Sequence, residues 1–476
     1  MTDSPVNPGR RRFLEAVAVS GLATLGPLSS PAAAKERVIN DVSRLNPVAI
    51  ADERLPRSTE EVRAALRAWR GTVSVGGGRF SMGGQIAAPH SLHLDMRGMN
   101  QVVSFDAARR VIRVQAGMTW RDIQDVIDPH DLSIRTMQSY SNFTVGGSLS
   151  VNCHGRYVGR GPLVNSVRAL QLVTARAEVL ELSRTRDAET FRAVFGGYGG
   201  LGVVTEVELE LDPNTLIERV VHDVPLERYP DFYRSQVLSD ARMVLHNAYL
   251  APPGFDRPRP VSWLVSEKPA TERERLVPRG LDYSREQNFF WAMTELPVGQ
   301  WLRETAERRL LAEEKMVVWR NHEASKDTAS LEPRTRAVST YLLQEYFIPV
   351  QNFFPFLREM ARILNAHRVN ALNVSIRHSP ADTLSLLTWA PAEVFSFVLF
   401  YKQRRNRQAS AAVRAWTREL IDAALASGGR YFLPYRLDAT RAQFERAYPE
   451  ARAFAALKAR LDPDNRLRNL LWDSYL

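Results

Sequence analysis

The chain of 476 residues holds a single cysteine, Cys153. One thiol can build neither an internal disulfide nor a sulfur-based metal site. With the nine histidines dispersed, no metal and no disulfide framework are expected. Long apolar runs are also missing, and a bilayer-spanning helix needs roughly 20 apolar residues, so no stable membrane insertion is expected. Charge of one sign is in short surplus: 63 Lys and Arg face 53 Asp and Glu. The arginines are scattered, with no basic run interleaved with aromatics, which argues against a nucleic-acid partner. No internal repeat or low-complexity tract suggests a solenoid or a coiled coil.

The N-terminus is specific. Arg10, Arg11, Arg12, Phe13 and Leu14 precede the mildly apolar "EAVAVSGLATLGPLSSPAAA", which ends in Ala32, Ala33 and Ala34. A basic start, a short apolar stretch and a small-residue end read as an export signal over 1–34, cut before Lys35. The pattern resembles the twin-arginine signal, whose route carries folded proteins. This implies the twin-arginine export machinery as a partner and an exported, periplasmic or secreted, location.

Over 40–215 short strands and helices mix. "STEEVRAALRAW" reads as a helix capped by Ser58, with Glu61 at the capping-box position. "TVSV", "HLDM", "RVIRVQAG" and "VVTEVELEL" read as strands, "VRALQLVTARAEVLELS" as a hairpin, and "TWRDIQDVI" and "DAETFRAVFGG" as helices. The result is an α+β pattern. Over 216–430 helices are expected at "RERLVPRGLDYSREQNFFWAMTELP" and "WLRETAERRLLAEEKMVVWR". Strands follow at "TYLLQEYFIPV", "NALNVSIRH" and "EVFSFVLFYKQ", then a helix at "QASAAVRAWTRELIDAALASGG". The tail, 431–476, carries a helix near "ATRAQFERAYPEARAFAALKARL".

Three glycine clusters fall in the first region: Gly76, Gly77 and Gly78 with Gly83 and Gly84; Gly146 and Gly147; and Gly196 to Gly202. The last contains "GYGGLG", a G-x-G-x-x-G match, but a dinucleotide fingerprint follows a strand and opens a helix. Here the helix comes first and the strand after, so that reading fails. "VSVGGGRFSMGGQ" lacks the G-K-[ST] of a P-loop. It offers small residues whose N–H groups can converge on anionic oxygens without a lysine. Any one cluster is satisfied by a tight turn; three beside strands point to a bound diphosphate.

With "GGGRFSMGGQ", "HLDMRGMNQVVSFD", "VIRVQAGMTWRDIQDVI", "TVGGSLSVNCHG" and "FGGYGGLGVVTEVELEL" in this order, residues 55–215 resemble the FAD-binding domain of the vanillyl-alcohol-oxidase and p-cresol-methylhydroxylase (PCMH) type. The resemblance implies a two-subdomain α+β FAD-binding domain over 40–215 and an α+β substrate (cap) domain over 216–430. A C-terminal segment, 431–476, would return to the flavin domain. It implies that Gly76, Gly77, Gly78, Arg79, Phe80 and Ser81 wrap the diphosphate of FAD. Thr144, Gly146, Gly147, Ser150 and His154 would line the isoalloxazine and ribityl side, and Gly202 and Val204 the adenine end. Relatives that bind flavin covalently carry a histidine where Phe80 stands. Phenylalanine has no nucleophile, so FAD is expected to be non-covalent. Cys153, in an apolar glycine-rich stretch, is expected to be a buried small hydrophobe.

The middle region resembles the cap of the sugar- and lactone-oxidising branch: alditol, arabinonolactone, gulonolactone and decaprenylphosphoryl-ribose oxidases. In "LLQEYFIP" alternation puts Gln344 and Tyr346 on one face and Leu343, Glu345 and Phe347 on the other. A carboxylate among apolar neighbours is either a paired structural charge or a base with a raised pKa. Asn373, Ser375 and Arg377 share a face that lines either a cavity or solvent. Arg377 falls near the arginine that alditol oxidases place beside flavin and substrate. Ser375 replaces the acidic residue expected two positions earlier, and Tyr435 stands where the ribose oxidases have lysine. The expected catalytic residues are Glu345, Arg377 and Tyr435: Glu345 and Tyr435 as first candidates for the base, with His378 behind them, and Arg377 stabilising negative charge.

These readings converge on an exported FAD-dependent oxidoreductase. It would act on a C–OH group of a small molecule and pass electrons to oxygen or to a membrane or soluble acceptor. A FAD-dependent C=C reductase and a non-catalytic flavin or ligand carrier are the alternatives.

Overall fold

A computed structural model describes residues 37–296, 299, 302 and 316–476. The export signal over 1–34 lies outside the described residues, as does most of the helix expected from "WLRETAERRLLAEEKMVVWR". The end of that stretch, Val317–Trp319, is a strand followed by the short helix Arg320–Ala324. Within the preceding stretch only Ser284–Glu295 is helical.

The described chain forms four sheets. Val73–Gly76 and Asp52–Arg54 flank Leu92–Asp95 in a parallel three-stranded sheet. Thr59–Ala68 forms the expected helix, and the Ser58 hydroxyl accepts from the Glu61 N–H. The Glu61 carboxylate accepts from the N–H of Arg57 at 2.9 Å instead of closing a capping box on Ser58. An antiparallel sheet is built on the alternating strand Val203–Pro213, which pairs Val167–Val173 on one edge and Val111–Gln115 on the other. The expected hairpin, Val167–Val173 with Val179–Ser183, is its outer edge.

Residues 216–431 build an antiparallel eight-stranded sheet. Its centre holds the three expected strands in the order Ala371–Ser379, Val394–Arg404, Ser339–Pro349. Five of its strands go beyond the sequence reading: Leu216–Val221, Met243–Leu250, Arg259–Val265, Val317–Trp319 and Arg430–Tyr431. Val394–Arg404 is buried along nearly its whole length, because both faces of the sheet are covered there. Helices Phe353–Ala366 and Arg407–Ala426 share a core with the face that carries Tyr346, and Gln344 donates to Thr417 at 2.7 Å. The opposite face is left for Glu345.

The stretch expected as one helix in the tail folds as two, Arg441–Ala447 and Ala451–Leu461, and a third, Leu470–Tyr475, ends the chain. Pro449 falls between the first two and interrupts the backbone ladder. The chain then runs back to the first region. Leu467 bridges Val73 in parallel, and Asn469 and Trp472 donate to the carbonyls of Tyr198 and Gly197 at 2.8 and 3.0 Å.

Candidate active site

Two cavities meet at the glycine turns, sharing Gly77, Ser81, Ile86, Thr144, Gly147 and Val151 as lining residues. The narrower, of about 730 Å³, has seven glycines in its wall and neither lysine nor arginine. An anion bound there must rely on backbone N–H groups. The wider, of about 1290 Å³, reaches the eight-stranded sheet and holds Glu345, Arg377 and Tyr435.

The turns are glycine because other atoms already occupy the space a side chain would take. A Cβ on Gly76 would sit 2.7 Å from the His93 ring, and one on Gly77 would fall on the Thr144 hydroxyl. A Cβ on Gly202 would sit 2.6 Å from the Leu172 side chain. Thr144 ties two loops together: its hydroxyl accepts from the N–H of Gly78 at 3.3 Å and from that of Gly147 at 3.4 Å. Beneath Gly76, Ser91, Ser74 and His93 form a buried chain at 2.8 and 3.1 Å. Burial, then the Arg79 charge, holds the imidazole down to about 4. His90 and His93 stand three apart, but His90 is exposed while His93 is buried; among the described residues no group of three metal-binding side chains exists.

Among the residues expected to hold FAD, Gly76, Gly77, Ser81, Thr144, Gly146, Gly147, Ser150, Gly202 and Val204 line the narrower cavity. Phe80, Arg79 and His154 line the wider one. Gly78 borders neither, since a Cβ there would meet the Phe80 ring at 2.9 Å. Arg79 has a left-handed backbone (φ 62°), and its guanidinium is held by Glu53 and Asp95, both at 2.8 Å. This leaves it a loop anchor rather than a free cation. Phe80 packs on Phe143, with ring centres 4.6 Å apart. A continuous cleft walled by glycine backbone and opening into a roomier cavity fits an extended dinucleotide whose reactive end meets a substrate. The Cys153 thiol is buried at the edge of the wider cavity, and burial pushes its pKa up, so it is neutral and unreactive.

On the sheet side, pairing places Glu345 opposite Val398, and Ser396 opposite both Phe347 and Arg377. Glu345 is 3% exposed and His154 6%. The His154 Nε2 lies 2.6 Å from Glu345 Oε1, and Ser396 donates to the same oxygen at 2.8 Å. Oε2 receives only a longer bond, 3.3 Å, from the Tyr435 hydroxyl. Burial pushes Glu345 up, but His154, Arg377 and Ser396 together outweigh it and leave the carboxyl below the ordinary glutamate value. It is a paired carboxylate, not the raised one that isolation among apolar neighbours would give. Trp389, Phe347 and Phe432 box the His154 ring at 4.8, 5.4 and 6.0 Å.

Two candidate bases drop out. Burial, then the Glu345 charge, raises the Tyr435 phenol well above the ordinary tyrosine value, so it stays protonated and donates to Glu345. His378 projects to the other face of its strand, where Nε2 meets Glu393 at 2.8 Å and the ring packs on Tyr233. Arg377 lines the wider cavity with a buried Nε that has no hydrogen-bond partner. Asn373 and Ser375 are not among the lining residues. Ser396 and the aromatic box were missed from sequence. The alternation of "FSFVLF" could have offered Ser396 as a facing residue, but only the strand register shows which residue it faces.

Comparison with known proteins agrees with this geometry. Residues 54–183 match the family model for the FAD binding domain, and 300–475 match that for D-arabinono-1,4-lactone oxidase. L-gulonolactone oxidase from Bos taurus is 24% identical over 431 residues, covering 87% of this chain and 92% of that one. L-gulonolactone oxidase from Mus musculus is 33% identical over 33% of this chain and 36% of that one. Decaprenylphosphoryl-beta-D-ribose oxidase from Mycolicibacterium smegmatis is 31% identical over 32% of this chain and 33% of that one. The chain thus spans nearly all of the bovine relative and about a third of the other two. It belongs to the PCMH-type FAD-binding flavoproteins, in the branch of the sugar and lactone oxidases, and is a FAD-dependent oxidoreductase.

Proposed function

We propose that the protein oxidises a C–OH group to a carbonyl, with FAD held non-covalently and electrons passed to oxygen or to another acceptor. The observation that carries this reading is Glu345 Oε2, whose one hydrogen bond is the 3.3 Å contact from Tyr435, in the same cavity as Arg377, whose buried Nε has no partner, beside the glycine cleft. When bound, FAD would supply the two-electron acceptor for the hydride of the substrate C–H bond. Oε1 is committed to His154 and Ser396, so Oε2 is the atom that accepts the hydroxyl proton. Arg377 stabilises the alkoxide as that proton leaves, and Tyr435 orients Oε2 from the side. The apolar box around His154 keeps water from the pair. Phe80, at the position where a nucleophile would be needed, supports non-covalent attachment.

The test is anaerobic mixing of FAD-loaded protein with alcohols and lactones while the flavin band is followed. Bleaching by a C–OH compound, slowed about a hundredfold or more in Glu345→Gln, is expected on the scale of general-base catalysis. An unbleached flavin across the whole panel would count against the reading. Export is proposed on the basis of Arg10 to Leu14 and Ala32 to Ala34. Changing Arg10 and Arg11 to lysine should hold the protein in the cytoplasm, and unchanged fractionation would refute the route.

A further inference from the structure

The wider cavity changes character along the sheet. Side chains two residues apart on one strand share a face and lie about 7 Å apart. From the reacting end outward, the strand Ser339–Pro349 presents Glu345, then Leu343, then Tyr341, over about 13 Å. Its partner presents Ser396, then Val398, then Phe400, in matching register: Glu345 faces Val398 and Leu343 faces Phe400. Met82 lies over this second tier, its sulfur 3.3 Å from the Leu343 N–H. Tyr341 and Phe400 belong to an apolar cluster against which Leu331, Leu343 and Phe290 pack.

Polar atoms in the outer tiers already have partners. The Tyr341 hydroxyl meets Thr294 at 3.2 Å. Lys402, paired across from Tyr341, reaches Glu295 at 2.6 Å and Thr294 at 2.9 Å. Arg336, which also lines the cavity, is bound to Glu332 and Thr340, both at 3.3 Å. Among the described residues the outer tiers are mainly apolar, so a compact polyhydroxylated molecule would find few free hydrogen-bond partners beyond the Glu345 end. Each hydroxyl buried without a partner is disfavoured, while each buried methylene is favoured.

We propose that the substrate is an amphipathic alcohol, carrying its oxidisable C–OH at one end of an alkyl or aryl-alkyl body about 10 Å long, enough to run from the C–OH at Glu345 past Leu343 toward Tyr341. This rests on the oxidoreductase reading above and names the substrate class for that same site. The experiment is calorimetric titration of the FAD-loaded protein with a homologous series of primary alcohols, n-butanol to n-decanol, and with L-gulono-1,4-lactone. The same compounds are run in parallel for anaerobic flavin bleaching. Affinity should rise about fourfold per added methylene up to roughly eight carbons and then level, and the lactone should bind more weakly than octanol. Leu343→Asn should flatten the chain-length dependence while the protein still carries FAD. Binding that ignores chain length, no binding of any alcohol, or a lactone preferred over octanol would overturn the proposal. Chain-length-dependent binding without bleaching would uphold the apolar channel and sink the oxidation reading, so the two fail separately.

Discussion

Removal of His154 gives a sharp test of how the Glu345 carboxylate is stabilised. In His154→Ala, Glu345 keeps only Ser396 at 2.8 Å and Tyr435 at 3.3 Å as hydrogen-bond donors. The buried carboxylate loses its shortest hydrogen-bond contact, at 2.6 Å. A buried carboxylate that loses such a contact and stays ionised costs about 3 kcal/mol, the upper end for an unsatisfied buried group. The carboxyl can instead take up a proton, its pKa now driven up by burial. In the wild type the pKa is depressed, so its stabilising contribution is present above the unfolded value of about 4.3 and is lost as pH falls through the folded value. In the variant the pKa is raised, so stability is lost as pH climbs above about 4.3. Above about pH 5 the wild-type contribution is already complete and only the variant's loss remains, so the gap widens from pH 5 to pH 7.5. The cavity left among Trp389, Phe347 and Phe432 adds a pH-independent cost of about 1–2 kcal/mol. Urea unfolding at both pH values measures the gap, and other titrating groups common to the two proteins cancel. We expect roughly 3 kcal/mol or more at pH 7.5 and clearly less at pH 5. In a background of Glu345→Gln the pH dependence of the gap should vanish. A gap equal at the two pH values would refute the pairing argument and leave His154 as mere packing.

Other perturbations follow from the same geometry. Gly77→Ala should fold but lose FAD affinity about tenfold or more, since its methyl displaces the Thr144 hydroxyl that joins the two loops; unchanged flavin titration would contradict the cradle. Arg377→Ala should lower kcat/KM about a hundredfold, the equivalent of one charge-assisted hydrogen bond, with Arg377→Lys in between; equal steady-state kinetics would exclude contact with the reacting oxygen. Behind the sheet, burial lowers the pKa of His222, His246 and His378, holding His246 down to about 3. Below about pH 6.5 the unfolded chain binds protons that the folded chain refuses, so stability falls as pH drops, by up to about 1.4 kcal/mol per pH unit for each imidazole. A urea midpoint unchanged between pH 7 and pH 5 would show that these rings are not held neutral.

The parts legible in the sequence are those whose cause is local. Glycines 76, 77 and 202 are required wherever a side chain has no space, and clustering made that visible without knowing that His93, Thr144 and Leu172 fill the gaps. Alternation in "LLQEYFIP" separated Glu345 from Gln344 because strand periodicity is intrinsic to the backbone. What surrounds Glu345 was hidden, because it depends on pairing between distant segments. Ser396 reaches it only through the register that sets Phe347 against Ser396, and His154 arrives from the loop after a short helix. Isolation among apolar neighbours left open a paired charge or a raised base, and that non-local company decides for the paired, lowered carboxyl. The same blindness exchanged the role of Tyr435, whose phenol is a donor because a carboxylate already sits beside it. Helix propensity also misled locally: "RERLVPRGLDY" is helix-like in composition, yet the helix forms only from Ser284, beyond Pro278 and Gly280.

The most direct test of the whole account is the absorption spectrum of the purified protein before and after acid precipitation. A yellow protein with flavin bands whose colour passes to the supernatant as FAD is the expected result. A colourless protein that takes up no added FAD would contradict the account at its centre, and colour retained in the pellet would show a covalent attachment that Phe80 cannot provide.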